Sequence, residues 1–304
     1  MRVITKPMYI ACAVVILAMS TFKVHGAVGD LYASVNGTGG NGGGFIYKYT
    51  PDGEQSIFAS GLSRPRGLAF DSIGDLFVAT TFCGRTCHST ILKIAPTGEQ
   101  NVFVEIPRSF FAEGVAIDDA GNVFVMAIEL NNLRSIVFKF TPSGSPRVFG
   151  VVPGEGFGLA FDSAGNLFAA DHSFGVIYKY KPDGRRSTFV DKSAFPGFSG
   201  PVGLSVDGSD NLFASITGTF PPLALENAIL EFTPSGTETT FVTGLNFPAG
   251  LAFDTSGDLF VAENPLASLG DILKLTPDST TSVFASGIGI QQYSGGPEFL
   301  VIQP

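Results

Sequence analysis

Arg66, Glu113 and Glu298 occupy one place in a repeated pattern, each directly before the opening residue of a short apolar strand. The same place in the other three copies holds Phe157, Val202 and Ala249. A residue present in every copy serves the repeat itself, whereas a charge found in only some copies has another job. Two carboxylates beside a guanidinium form an ion-paired cluster, and the guanidinium can also orient an anionic or polar group. A second set of unrepeated polar residues, Glu129, Asp171, His172, Glu263 and Asn264, stands at or just beyond the ends of later strands. Asp171 and His172 have the residue types of a general-base pair, although neighbours on an extended chain point to opposite sides. Cys83 and Cys87 lie in one loop, with His88 beside the second. That spacing reads as a disulfide pinning the loop; the other reading, a metal site through His88, is short of ligands. Asp71, Asp118, Asp162, Asp207 and Asp254 instead recur at one repeat position ahead of a turn. They are turn residues, despite a likeness to a calcium-loop pattern with the Gly and Asp or Asn that follow. No nucleophile elbow, phosphate loop or zinc-binding helix motif occurs in the chain.

The elements that hold these residues follow from the unit at positions 157–190, FGLAFDSAGNLFAADHSFGVIYKYKPDGRRSTFV. Gly158 to Asp162 alternates small and large residues, Ser163 to Gly165 turns the chain, and Leu167 to Ala170 is an apolar run. A loop of variable length precedes a third strand from Val176 to Tyr180. Lys181 to Gly184 then makes a type I turn, with Pro182 presetting φ, and Ser187 to Val190 is a fourth strand. Four antiparallel strands in about 45 residues are the signature of a propeller blade.

The unit recurs along the chain. Second strands begin at Asp30, Asp75, Asn122, Asn166, Asn211 and Asp258, and a proline turn follows each third strand, at Pro51, Pro96, Pro142, Pro182, Pro234 and Pro277. First strands begin only at Gly67, Gly114, Gly158, Gly203 and Gly250; the sixth copy is Pro297 to Ile302, PEFLVI, in the register of Pro248 to Phe253, PAGLAF. The expected fold is therefore all-β: a six-bladed β-propeller of four-stranded antiparallel blades, closed by the C-terminal strand joining the N-terminal blade. Closure removes the edges that an open row of strands would expose. With 29 Phe and no Trp, Phe fills the space between blades. Arg66, Glu113 and Glu298 then fall on three consecutive blades. The variable loops between second and third strands share a face with the connections between blades, and binding resides on such loops.

Residues 1–26 read as a cleaved secretion signal: Arg2 and Lys6, an apolar run from Met8 to Phe22, and small residues ahead of Ala27. A retained anchor is the alternative, the run being short for a span of about 20 residues. Removal takes three basic and no acidic residues from totals of 18 and 27, leaving 15 against 27 and a net charge of −12 on residues 27–304. That charge repels nucleic acid and anionic membrane surfaces. The expectation is a monomeric propeller, secreted or periplasmic, with a small-molecule or protein ligand on its loop-rich face.

The pattern GLAFDSxGNLFxAD, followed by I-x-K-x-TPDG, a short apolar strand and a Pro before the next GLAF, resembles the NHL-repeat propellers. It is similar also to their relatives, the gluconolactonase and senescence-marker-protein-like hydrolases and the streptogramin lyases, over nearly all of residues 27 to 304. The resemblance implies the fold and leaves the activity open, because such propellers include scaffolds, binding modules and enzymes. In the gluconolactonase-like enzymes the place held here by Arg66, Glu113 and Glu298 supplies metal ligands, a Glu, an Asn and an Asp from different blades. The resemblance thus implies a divalent cation, calcium, manganese or zinc, on Glu113 and Glu298. The set is incomplete in this chain, and Arg66 would compete with the cation. A streptogramin-lyase-like site needs His residues from several blades, and beyond the signal only His88 and His172 remain. The alternative to a binding module is accordingly a metal-dependent, lactonase-like hydrolase at the channel mouth.

Overall fold

A computed structural model describes residues 29–37, 42–84, 87–132, 134–195, 200–218, 227–265, 268–289 and 296–304. The expected signal, 1–26, and most of the loop 217–227 lie outside them. Six four-stranded antiparallel sheets make six blades. In blade 1 the strand Pro297–Ile302 pairs with Leu31–Val35, placing Leu300 opposite Ala33, and Gly44–Tyr49 and Gln55–Leu62 follow outward. Blades 2 to 6 take their strands in chain order, and their innermost strands are Leu68–Phe70, Phe110–Ile117, Gly156–Phe161, Gly200–Val206 and Pro248–Phe253. Each innermost strand packs on the next around the ring, and Pro297–Ile302 touches both blade 6 and blade 2. The closure read from PEFLVI is the closure observed.

The core is divided into six sectors, one between each pair of neighbouring blades. In every blade an aromatic ring on the second strand meets one on the fourth edge to face: Tyr32 with Phe58, Phe77 with Phe103, Phe124 with Phe149, Phe168 with Phe189, Phe213 with Phe241, and Phe260 with Phe284. Such pairs add about 0.5–1.5 kcal/mol each beyond their buried area.

The glycine that opens each first strand is set by close approach. A Cβ on Gly114 would lie 2.2 Å from the carbonyl oxygen of Phe157, and one on Gly203 would lie 2.0 Å from that of Ala249. Blade 1 has Phe299 at this position in the repeat.

The repeated aspartates close the turn between first and second strands. Asp162 Oδ1 accepts from the backbone N–H of Ala164 at 3.1 Å and of Asn166 at 2.8 Å, and Asp71, Asp118, Asp207 and Asp254 do the same two and four residues on. A lysine on the third strand completes the device. Lys179 pairs with Asp162 at 2.9 Å and lies 4.7 Å from the centre of the Phe168 ring; Lys93, Lys139 and Lys274 are placed alike. Lys48 pairs with Asp30 in blade 1. Blade 5 departs, with Glu231 where the others carry lysine. Burial and the facing Asp207 raise the Glu231 pKa.

Candidate functional site at the channel mouth

Antiparallel pairing puts the loops between second and third strands beside the connections between blades. Backbone hydrogen bonds tie them together: Thr81 N–H to Ser63, Leu130 to Ser109, His172 to Glu155 and Asn264 to Phe247. The axis narrows below this face and widens again toward the far ends of the innermost strands, where a cavity of about 290 Å³ is lined by Phe161, Val206, Phe253 and Ile302 among others. A cavity of about 40 Å³ lies among Leu68, Val115, Leu159, Leu204, Leu251 and Leu300 and the neighbouring glycines, room for about one water. The constriction among these leucines separates the mouth from the opposite end of the axis.

At the mouth the structure brings Arg66, Glu113 and Glu298 together. The Arg66 guanidinium stands between the two carboxylates, its Nη1 on Glu298 Oε2 and its Nε 3.5 Å from Glu113 Oε2. Asn36 Nδ2 donates to the other Glu298 oxygen at 2.5 Å. Glu113 is 6% exposed, and its Oε2 has no hydrogen-bond partner. Burial raises its pKa, Arg66 pulls it back, and Glu298 and Glu155 raise it further, to about 7. The carboxyl thus exchanges a proton near neutrality, the condition for acid or base work. A pocket of about 100 Å³ opens beside it, lined by Arg64, Arg66, Thr81, Phe111 and Glu113. The opposite side of the ring carries Phe157, Val202 and Ala249, so the mouth is charged on one half and apolar on the other.

The donor set bears on a divalent cation. Glu113 and Glu298 share a guanidinium at the point where a cation would bridge them, and the described residues contain no group of three or more His, Cys, Asp or Glu able to hold a metal. As arranged, these side chains hold Arg66.

The unrepeated residues at the strand ends are spread over blades 3, 4 and 6, and most of them fix their own loops. Glu129 pairs with Arg134 in its own hairpin at 2.6 Å. Buried Asp171 accepts from the backbone N–H of Gly154 at 2.9 Å and of Phe174 at 3.0 Å, and burial raises its pKa against those bonds. Glu263 accepts from Asn246 N–H at 2.6 Å, and Asn264 Oδ1 from Gly296 N–H at 3.0 Å. The His172 ring packs edge-on against Phe157 with centroids 5.7 Å apart; its Nδ1 is buried without a hydrogen-bond partner, and burial lowers its pKa. With both Asp171 oxygens engaged by backbone, Asp171 and His172 are not a hydrogen-bonded pair. Cys83 and Cys87 are joined by a disulfide across the second hairpin of blade 2, with His88 exposed beside it.

Arg64, Phe111 and Glu155 reach the mouth without having been singled out from the sequence. All three stand three residues before a first-strand glycine. The comparison of copies that isolates Arg66 and Glu113 isolates them too when applied two places earlier.

Fold and mouth define a class: a closed six-bladed β-propeller with a charged cluster on half of its channel entrance. No family model and no curated protein matches the chain. Its fold is similar to that of virginiamycin B lyase from Staphylococcus aureus, at 18% identity and a TM-score of 0.58, covering 91% of this chain and 92% of that one. It is similar to the periplasmic gluconolactonase of Pseudomonas aeruginosa at 14% identity and a TM-score of 0.58, covering 91% and 100%. TolB from Acinetobacter baumannii matches at 12% identity and a TM-score of 0.67, covering 91% and 67%. At these identities the likeness is one of fold.

Proposed function

We propose that this chain is an exported, monomeric binding module that holds a small-molecule or protein ligand on its loop-rich face, at the mouth of the central channel. The observation that carries the reading is a pocket lined by two arginines beside a buried Glu113 oxygen that accepts no hydrogen bond and has only the Arg66 Nε at 3.5 Å. A stabilised fold leaves few such groups unsatisfied, and functional sites are where they persist. Export is supported by the signal pattern in residues 1–26 and by the Cys83–Cys87 disulfide, since disulfides persist in oxidising compartments. The net charge of −12 on residues 27–304 leaves nucleic acid and membranes aside as partners. A thermal-unfolding screen of residues 27–304 against charged and neutral compounds tests the reading. Hits should lose their effect in Arg66→Gln, and hits indifferent to that change would place binding elsewhere.

The second reading is a lactonase-like hydrolase using a divalent cation, favoured by the Glu113 carboxyl titrating near neutrality and by the fold shared with a gluconolactonase. It requires Arg66 to leave its place between the carboxylates. Calcium, manganese or zinc at ~100-fold over its dissociation constant would add ~2.7 kcal/mol, a rise of roughly five degrees in the melt. A shift in the wild type that vanishes in Glu113→Gln with Glu298→Gln would move this reading ahead.

A further inference from the structure

Blade 2 carries a hairpin that outreaches its counterpart in blade 4. Leu76–Cys83 and Cys87–Ile94 pair over eight residues each, where Leu167–Asp171 and Val176–Tyr180 pair over five. Three further residues per strand carry its end about 10 Å farther out on the loop-rich face. The Cys83–Cys87 disulfide is the last cross-strand pair of this projection, half-buried, with Gly84 exposed beside it. The hairpin is held without it. The Thr80 and Thr90 hydroxyls meet at 2.8 Å and those of Thr81 and Ser89 at 2.7 Å, and Ser89 Oγ donates to the Phe110 carbonyl of blade 3 at 3.1 Å. A cross-link between strand ends already in register constrains little of the unfolded chain. Phe82 and His88 are the next pair inward, their rings 5.3 Å apart, and because side chains alternate along a strand they lie on the other face of the hairpin from the sulfurs. The cation at the sulfurs is Arg64, whose Nη1 lies 3.8 Å from Cys83 Sγ. Arg64 is exposed and forms no ion pair among the described residues.

We propose, independently of any ligand at the mouth, that Cys83–Cys87 is an exchangeable disulfide that takes two electrons from a dithiol, with Cys83 as the leaving thiolate beside Arg64. A thiolate of the dithiol attacks Cys87 Sγ. The S–S bond breaks, and its electron pair stays on Cys83 Sγ next to the guanidinium. The second thiolate of the dithiol then attacks its own sulfur in the mixed disulfide and expels Cys87, which takes a proton from solvent. The dithiol leaves oxidised, its two protons having passed to solvent, and the cysteine pair is reduced. A neighbouring cation lowers the pKa of a thiol. A thiol of lower pKa leaves faster, and a stabilised reduced form makes the pair the stronger oxidant. Arg64 touches one sulfur of the two, which gives the exchange its direction.

Residues 27–304 contain no other cysteine, so mass spectrometry after alkylation follows the pair directly, with dithiothreitol as the dithiol. At neutral pH the pair should be reduced about ten-fold faster, or more, than oxidised glutathione at the same dithiothreitol concentration. Arg64→Gln should slow that reduction about five-fold, and Arg64→Lys, which keeps the charge, should restore it. With reduced glutathione as a monothiol probe, the mixed disulfide caught by acid quenching should map to Cys87. In Cys87→Ser, alkylation of Cys83 by iodoacetamide should titrate about one pH unit below the ordinary thiol value of about 8.5, and adding Arg64→Gln should move the midpoint back up. Reduction no faster than that of oxidised glutathione would overturn the exchange activity. A glutathione adduct on Cys83, or a Cys83 titration indifferent to Arg64→Gln, would overturn the assignment of Cys83 as the leaving thiolate. None of these outcomes bears on the compound screen, so the proposal and the ligand-binding reading fail separately.

Discussion

The backbone N–H of Gly67 donates to the carbonyl of Glu113 at 2.9 Å, joining the innermost strands of blades 2 and 3 by a hydrogen bond between sheets. The residues flanking this bond are the ones that matter at the mouth. Arg66 precedes the donor and Glu113 is the acceptor, so the seam between two blades fixes the distance between guanidinium and carboxylate.

Gly67→Ala should therefore be costly. Its Cβ would lie 2.3 Å from the Glu113 oxygen, with backbone on both sides and no flexible side chain to yield. A loss of about 2–4 kcal/mol is expected in urea unfolding, in the range for overpacked, strained sites. Gly208→Ala is the control: nothing lies within 4 Å of its Cβ, and the change should be neutral or stabilising by up to about 1 kcal/mol.

The Glu113 carboxyl sets a pH dependence of stability. Its pKa rises from 4.5 to about 7 on folding, so between those values the folded chain binds the proton more tightly than the unfolded one. Stability contributed by this group is present below pH 4.5, falls as pH rises through the window, and is lost above 7. The whole effect is on the order of 3 kcal/mol. Glu113→Gln should remove that slope, which unfolding curves at pH 4.5, 6 and 8 would show.

Blade 5 offers a gain of stability. Glu231→Lys restores the residue that its sister blades carry and would set an ammonium over the Phe213 ring beside Asp207. The expected increase is about 0.5–1 kcal/mol, the worth of a partly exposed ion pair with a cation–π contact. A stability no higher than wild type would show that the neighbours of Glu231 have adapted to the acid.

The Cys83–Cys87 bond closes a loop of a few residues, for which the chain-entropy relation gives about 2 kcal/mol. Replacing both by Ala should cost no more than that and leave the six blades intact. Unfolded, unreduced protein from residue 27 onward should show no free thiol on titration.

Six blades, their closure by residues 297–302 and the turn role of the repeated aspartates were legible because the chain aligns with itself. The same comparison picked out Arg66, Glu113 and Glu298. It did not show that Lys93, Lys139, Lys179 and Lys274 serve the aspartates, because that pairing joins the third strand to a turn some twenty residues earlier. Nor did it show the burial of Glu113, which depends on Arg66, Glu298 and Glu155 arriving from three other blades. Asp171 stood out for being unrepeated, yet it caps two loop N–H groups. An unrepeated residue marks a local need, and a loop of unusual shape is such a need as much as a ligand is.

Tyr32 donates to Gln303 across 271 residues of sequence within blade 1. During synthesis the strand Leu31–Val35 emerges early and waits for Pro297–Ile302 while every other blade is made. Its inner edge stays unpaired for nearly the whole of translation, a period when open strands recruit other chains. The ring can lock only after the ribosome has delivered its last blade-forming strand, so premature termination anywhere upstream yields an arc with two sticky ends and not a smaller propeller.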